Sequence, residues 1–210
     1  MHIELTEMLR CPEPHGENVL VLSTGEMAGR MVRSGIVGCP VCRKEYPIVQ
    51  GVVDFTGRGT GVPAPAAPRA PAVAGPPVPR PKVEPQDLLA LLDLSGPGGY
   101  VVLVGDATRH AEGLAALMNG IHFVGINPPP DAEELPVLSL LRSAQTIPLR
   151  ESMARGVVVG ADLADAPWLD EARRVLLRGR RLVVEDETAS PGQGVTRLAA
   201  ENGLWVGEKK

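Results

Sequence analysis

Aromatic side chains are scarce: 2 Trp, 2 Tyr and 2 Phe make up 3% of the 210 residues. A core must therefore be assembled from Val, Leu, Ile and Ala. No run approaches the roughly 18 apolar residues of a bilayer-crossing helix, so no membrane span is expected. The opening MHIELTEMLRC lacks the basic and apolar parts of a secretory signal, and a cytoplasmic location is expected. Positive charge is not in excess. A net charge of −4 argues against a general polyanion binder, although local basic patches remain open. Three cysteines are too few for a disulfide framework, and in a cytoplasmic chain they read as metal ligands or free thiols. No Ser-His-Asp or Cys-His set has supporting spacing, and the dinucleotide fingerprint is missing.

Proline and glycine are abundant, at 21 and 24 residues, and they divide the chain. All three cysteines lie within residues 1–55. Residues 56–85 are mostly Pro, Ala, Gly and Val, a composition that cannot bury a core and lacks ladder donors. A disordered linker leaning toward polyproline II is expected there, spanning several tens of Å at about 3.1 Å per residue. Beyond it, residues 86–210 alternate apolar runs with helical patterns. PQDLLALLDLSG reads as a short amphipathic helix. YVVLVG and IHFVGI read as strands buried on both faces, with RHAEGLAALMNG as the helix between them. DAEELPVLSLLRS is expected to be partly helical and AQTIPL a short strand. GVVVGAD is a further strand, and DAPWLDEARRVLLRG a helix with an Asp cap and an early proline, ending at Gly179. RRLVVED is a strand, GVTRLAAENG a last helix and LWVGEK a last strand. This alternation predicts an α/β fold with a doubly wound, mainly parallel sheet.

Cys39 and Cys42 in GCPVCRKEY form a two-residue-gap knuckle that turns both sulfurs toward one cation. LRCPEPHGE supplies Cys11 and His15 upstream. Together they make a Cys₃His set, the composition of a closed structural zinc site. A redox pair is the alternative, but it requires a nucleophilic cysteine at a helix start after a strand, which this context does not provide. In some 55 residues, a metal would provide much of the folding free energy.

The run LTEMLRCP…HG…GCPVCRKEYPIVQGVVDF resembles the small zinc-ribbon family of methyltransferase activators and its short bacterial homologues. Leu5, Leu9, Cys11, Pro12 and Gly16 carry the first half of the resemblance. Cys39, Cys42, Tyr46, Pro47, Ile48, Gly51 and Val52 carry the second. Pro14 stands where the family usually has another cysteine, which makes His15 the substitute ligand. The resemblance implies a small β-rich zinc ribbon with an interaction role and no catalysis of its own.

Residues 86–210 resemble class I S-adenosylmethionine-dependent methyltransferases, in the order of elements and in RRVLLRGRRLVV, a late helix–turn–strand. Ligands of such sheets bind at the carboxyl ends of the strands. The family's first loop, roughly V-L-D-x-G-x-G-x-G, falls on Val101–Arg109. Gly105 is kept, while Leu103, Ala107 and Arg109 replace the acidic residue and two glycines. Asn127 stands where the family holds the ribose hydroxyls with a carboxylate. Gly105, Asp106 and Asn127 are the candidate cofactor-binding residues. A reading without any cofactor also exists: Asp106 or Thr108 caps a helix starting at Arg109, Gly105 permits the turn, and Arg109 and His110 are exposed.

Other candidates read as structural. Arg173, Arg174, Arg178, Arg180 and Arg181 could contact RNA or complement a helix dipole. Glu185, Asp186 and Glu187 read as a solvated loop with acid–base work as the alternative, and His122 as a core residue. Three functions follow: a non-catalytic interaction or scaffold protein with a protein partner, an S-adenosylmethionine-dependent methyltransferase with a divergent loop, or an RNA-binding module. The losses around Gly105 place the first ahead, with no catalytic residue assigned.

Overall fold

A computed structural model describes residues 1–16, 18–57, 83–132 and 134–210. Most of the Pro/Ala-rich linker expected over 56–85 lies outside the described residues. The N-terminal part opens with a 3₁₀ turn, Ile3–Met8, and continues with strands β1 (Val21–Thr24), β2 (Met27–Ala28), β3 (Met31–Val32), β4 (Gly35–Gly38), β5 (Glu45–Val49) and β6 (Val52–Asp54). After the linker come α1 (Pro85–Leu92), β7 (Tyr100–Val104), a 3₁₀ turn at Gly105–His110, α2 (Ala111–Leu117), β8 (His122–Ile126), β9 (Leu138–Arg142) and β10 (Ala154–Val159). A 3₁₀ turn at Ala161–Leu163, α3 (Ala166–Val175), β11 (Leu176–Val184), β12 (Val195–Glu201) and β13 (Leu204–Lys209) complete the chain. No described helix is long and apolar enough to cross a membrane.

Among the described residues, eleven strands form one sheet in the order β1-β4-β5-β6-β9-β8-β7-β10-β11-β13-β12. From β6 to β11 every neighbouring pair is parallel, and antiparallel strands close both ends. The central order β9-β8-β7-β10-β11 starts in the middle and winds outward in both directions, as in Rossmann-like sheets. The fold is thus α/β with a β-rich N-terminal part.

Strand alternation sorts the core into two faces. Val101 and Leu103 of β7 join Leu88 and Leu92 of α1 and Leu114 of α2 in one cluster. Val102 and Val104 join the other, with Trp168, Leu169, Ala172 and Val175 of α3. That second cluster also holds Met1, Leu5, Leu9, Tyr46 and Phe55. The N-terminal part therefore shares cover of the second face with α3.

The two parts are joined by backbone as well as by core. β6 pairs in parallel with β9, Val53 opposite Leu141. Leu9 bridges Leu149, the Arg10 N–H donates to the Pro148 carbonyl at 3.0 Å, and the Arg150 N–H donates to Met8 at 2.9 Å. The 147–149 segment is pinned from below by α3. The Arg174 guanidinium donates to the carbonyls of Ile147 (2.7 Å) and Leu149 (2.8 Å) and to both oxygens of Glu171, which accepts from the Ile147 N–H at 2.8 Å.

Several sequence expectations are corrected. Leu138–Arg142 of the stretch expected to be partly helical is strand β9, because Leu138, Ser139 and Leu141 are buried between neighbours. The strand expected at AQTIPL contributes only the Leu149 bridge. The helix expected to run to Gly179 ends at Val175 and β11 begins at Leu176, carrying Gly179 inside it at φ +68°. The Asp165 cap is present, accepting from the Trp168 N–H at 3.4 Å. The last helix is instead β12, which turns through Asn202 (φ +55°) and Gly203 (φ +78°) into β13. Asn-Gly with two positive φ angles is a hairpin turn, and it outranks weak helical periodicity.

Candidate functional site

The knuckle around Cys39 is built by backbone. Its N–H donates to the Lys44 carbonyl and its carbonyl accepts from Arg43, both at 2.9 Å. Arg43 adopts φ +59° to close the turn. Cys11 arrives from the end of the N-terminal 3₁₀ turn, and His15 follows it. One donor atom from each of Cys11, His15, Cys39 and Cys42 lies within 4.8 Å of the others. Cys11 Sγ is 3.7 Å from Cys42 Sγ, and Cys39 Sγ is 3.4 Å from His15 Nε2. Sulfurs sharing a tetrahedral zinc stand about 3.7 Å apart, given bonds near 2.3 Å. His15 Nδ1 is 2.8 Å from the Gly16 carbonyl, which fixes Nδ1 as the donor and turns the Nε2 lone pair toward the thiols, as in metal-bound histidines. The Lys44 backbone N–H, aided by His15 and Cys39, holds the Cys42 thiol down to about 7, whereas burial pushes Cys11 up to about 11. Tyr46, 1% exposed, reaches Cys11 Sγ with its hydroxyl at 3.2 Å and packs on Phe55 with ring centroids 4.6 Å apart. None of the three cysteines is in a disulfide.

The carboxyl ends of the strands present a different picture. Gly105 turns at φ +64°, and the 3₁₀ turn begins there rather than at Arg109. The expected caps are not used as such. Thr108 is buried, with its hydroxyl 3.5 Å from the Leu103 carbonyl. Asp106 instead receives Arg109 at 2.6 Å, and its own N–H donates to the Asp162 carboxylate at 2.9 Å. A Cβ on Gly105 would lie 2.7 Å from Asp162 Oδ2 and nearer still to Oδ1; one on Gly160 would meet Oδ1 at 2.7 Å and the Asp106 and Ala107 nitrogens at 2.9–3.0 Å. The carboxylate thus fills the concavity of the turn. Arg109 also binds Asp131 at 2.7 Å; it is exposed, as expected, and spans the two carboxylates at the surface of the strand ends.

Asn127 adopts φ +51° and clamps Ser143: its amide donates to the Ser143 carbonyl and its oxygen accepts the Ser143 N–H, both at 2.9 Å. Gly105, Asp106 and Asn127 therefore do sit at the strand ends, but the side chains of Asp106 and Asn127 face protein partners. The acidic run is not a solvated loop throughout. Glu185 is 8% exposed and lies 2.6 Å from His110 Nε2, Asp186 accepts from Thr188, and Glu187 accepts from the Gly203 N–H. In the basic run, Arg173, Arg174 and Arg181 bind carbonyls and carboxylates of the chain itself. Sequence reasoning missed the Asp162–Gly105 and His110–Glu185 pairings because each joins residues more than 50 positions apart.

No protein-family model matches the sequence, and no curated protein matches it either. Among solved structures, a chain of the complex between the Haloferax volcanii Trm112 methyltransferase activator and a methyltransferase shares 20% identity, at TM-score 0.40, over 48% of this chain and 50% of that one. A methyltransferase from an antibiotic biosynthesis pathway of Anabaena variabilis shares 19% at TM-score 0.39, over 48% and 43%. The antibiotic-resistance methyltransferase Kmr shares 16% at TM-score 0.41, over 60% and 92%. The chain spans half or less of the length of the first two. Likenesses this distant bear on no activity.

Proposed function

We propose that the chain is a non-catalytic interaction or scaffold protein: a zinc ribbon over residues 1–55, joined by the 56–85 linker to a methyltransferase-like α/β domain over 86–210 that has lost its cofactor. Cys11, His15, Cys39 and Cys42 hold a structural zinc. Four protein donors leave no open position on it, so the metal serves folding rather than chemistry.

The observation that carries the reading is the Asp162 carboxylate in the turn of Gly105, bonded to the Asp106 N–H. S-adenosylmethionine would need those backbone groups and the space the carboxylate takes. The ribose would need an acceptor where Asn127 is spent on Ser143. The residues present do not fit the cofactor. Arg173, Arg174 and Arg181 are occupied within the chain, which disfavours the RNA-binding reading, and a protein remains the favoured partner, in the cytoplasm.

Calorimetric titration of the purified chain with S-adenosylmethionine tests the reading. No binding up to millimolar concentration is expected; low-micromolar binding sinks it. The zinc is tested separately, since titrating the thiols with an organomercurial should release one zinc per chain.

A further inference from the structure

Two imidazoles and a carboxylate converge where the N-terminal segment lies against the sheet, away from the Cys11 cluster. His2 precedes the first 3₁₀ turn, Glu4 belongs to it, and His122 opens β8. One donor atom of each lies within 4.8 Å of the other two. His2 is 7% exposed, held by its own N–H on the Ser139 hydroxyl at 2.9 Å. The rings of His2 and His122 stand 4.6 Å apart at 48°, and Tyr100 packs on His122 at 5.9 Å.

These imidazoles are not explained by hydrogen bonding. The Nδ1 atoms of both His2 and His122 are buried without a partner, a condition that buried polar atoms rarely tolerate. Glu4 Oε2 faces His2 Nδ1 at 3.9 Å, and Oε1 is taken by Arg30. Arg30 thereby orients the carboxylate and leaves one oxygen toward the ring. Burial, and then the neighbouring His122, holds His2 below its usual value.

We propose that His2, Glu4 and His122 form a second metal site, for a borderline divalent cation such as Zn²⁺, Co²⁺ or Ni²⁺, that clips the N-terminal segment to the sheet. Imidazole nitrogens with one carboxylate suit these ions. Donors bound at about 2.0–2.2 Å sit roughly 3.3 Å apart, so the 3.9 Å separation closes by about half an ångström, within reach of an exposed glutamate. Three protein donors leave one or more positions open to water or a substrate oxygen, unlike the closed thiolate set. The site shares no residue with that set and does not depend on whether the chain binds S-adenosylmethionine.

The test uses the full chain loaded with one equivalent of Zn²⁺, titrated with Co²⁺ and followed by visible absorption and melting temperature. One further equivalent should bind, with ligand-field bands, no thiolate charge-transfer band and a raised melting temperature. Glu4→Gln and His122→Gln should each weaken this binding at least tenfold. Because Glu4 is exposed, Glu4→Gln decides the matter if His122→Gln does not fold. The proposal is overturned if no further equivalent binds, if the cobalt signal is thiolate charge transfer alone, or if Glu4→Gln binds as tightly as the parent.

Discussion

Leu9→Ala probes whether the two parts fold as one unit. Leu9 is fully buried, its backbone bridges Leu149, and its side chain belongs to the cluster that also contains Trp168 and Trp205. Truncating such a leucine costs about 2–5 kcal/mol in transfer and cavity terms. Both tryptophans lie in the C-terminal part, 4% and 5% exposed, so fluorescence reports unfolding far along the chain from the mutation. With an m-value of about 2 kcal/mol/M in urea, one cooperative transition should move its midpoint down by about 1–2.5 M with the slope unchanged. If the tryptophan midpoint moves by less than about 0.3 M while far-ultraviolet dichroism shows a separate early transition, the parts unfold independently and the shared core couples nothing.

Gly105→Ala should cost about 1–3 kcal/mol in urea unfolding, from the left-handed backbone and from displacing Asp162. Pairing it with Asp162→Ala should reduce the cost toward the backbone strain of about 1–2 kcal/mol, and strict additivity would refute the carboxylate's place in the turn. Cys39→Ser should abolish release of zinc by the organomercurial and lower the same tryptophan midpoint, since the metal site and the sheet share one core. Glu171 is governed by two opposed effects: burial pushes its carboxyl up, but Arg174 and the Ile147 N–H outweigh it and hold it below the usual value. A lowered folded-state value means stability present above about pH 4.5 and lost as pH falls through that lower value. Glu171→Gln should therefore cost about 1–3 kcal/mol at pH 7 and progressively less in acid; a pH-independent difference would sink the assignment.

Strands β7, β8 and β10 were legible because each is buried on both faces and reads as an apolar run, Val101–Val104 most clearly. The thiolate set was legible because its spacing is local. What was not legible depended on distant partners. LSLLR reads as a helix fragment until β6 and β8 flank it. GVTRLAAENG carries a weak helical pattern, and only its pairing with β13 makes Asn202-Gly203 a hairpin turn rather than a helix stop. Asp162 could be placed at a strand end, but its insertion into the turn of Gly105 needs β7 and β10 side by side. His2, next to the start of the chain, and His122, within a strand, gave no sign of meeting.

The parallel pairing of β6 with β9 has a consequence for concentration dependence. A strand edge covered by a separate subunit is exposed whenever that subunit dissociates, so its protection varies with expression level and dilution. Here the covering strand belongs to the same polypeptide, at an effective concentration of about millimolar or above. The flank of β9 is therefore capped at every protein concentration, in a fixed ratio of one to one. Among the described residues, β1 and β12 remain as the outer strands of the sheet.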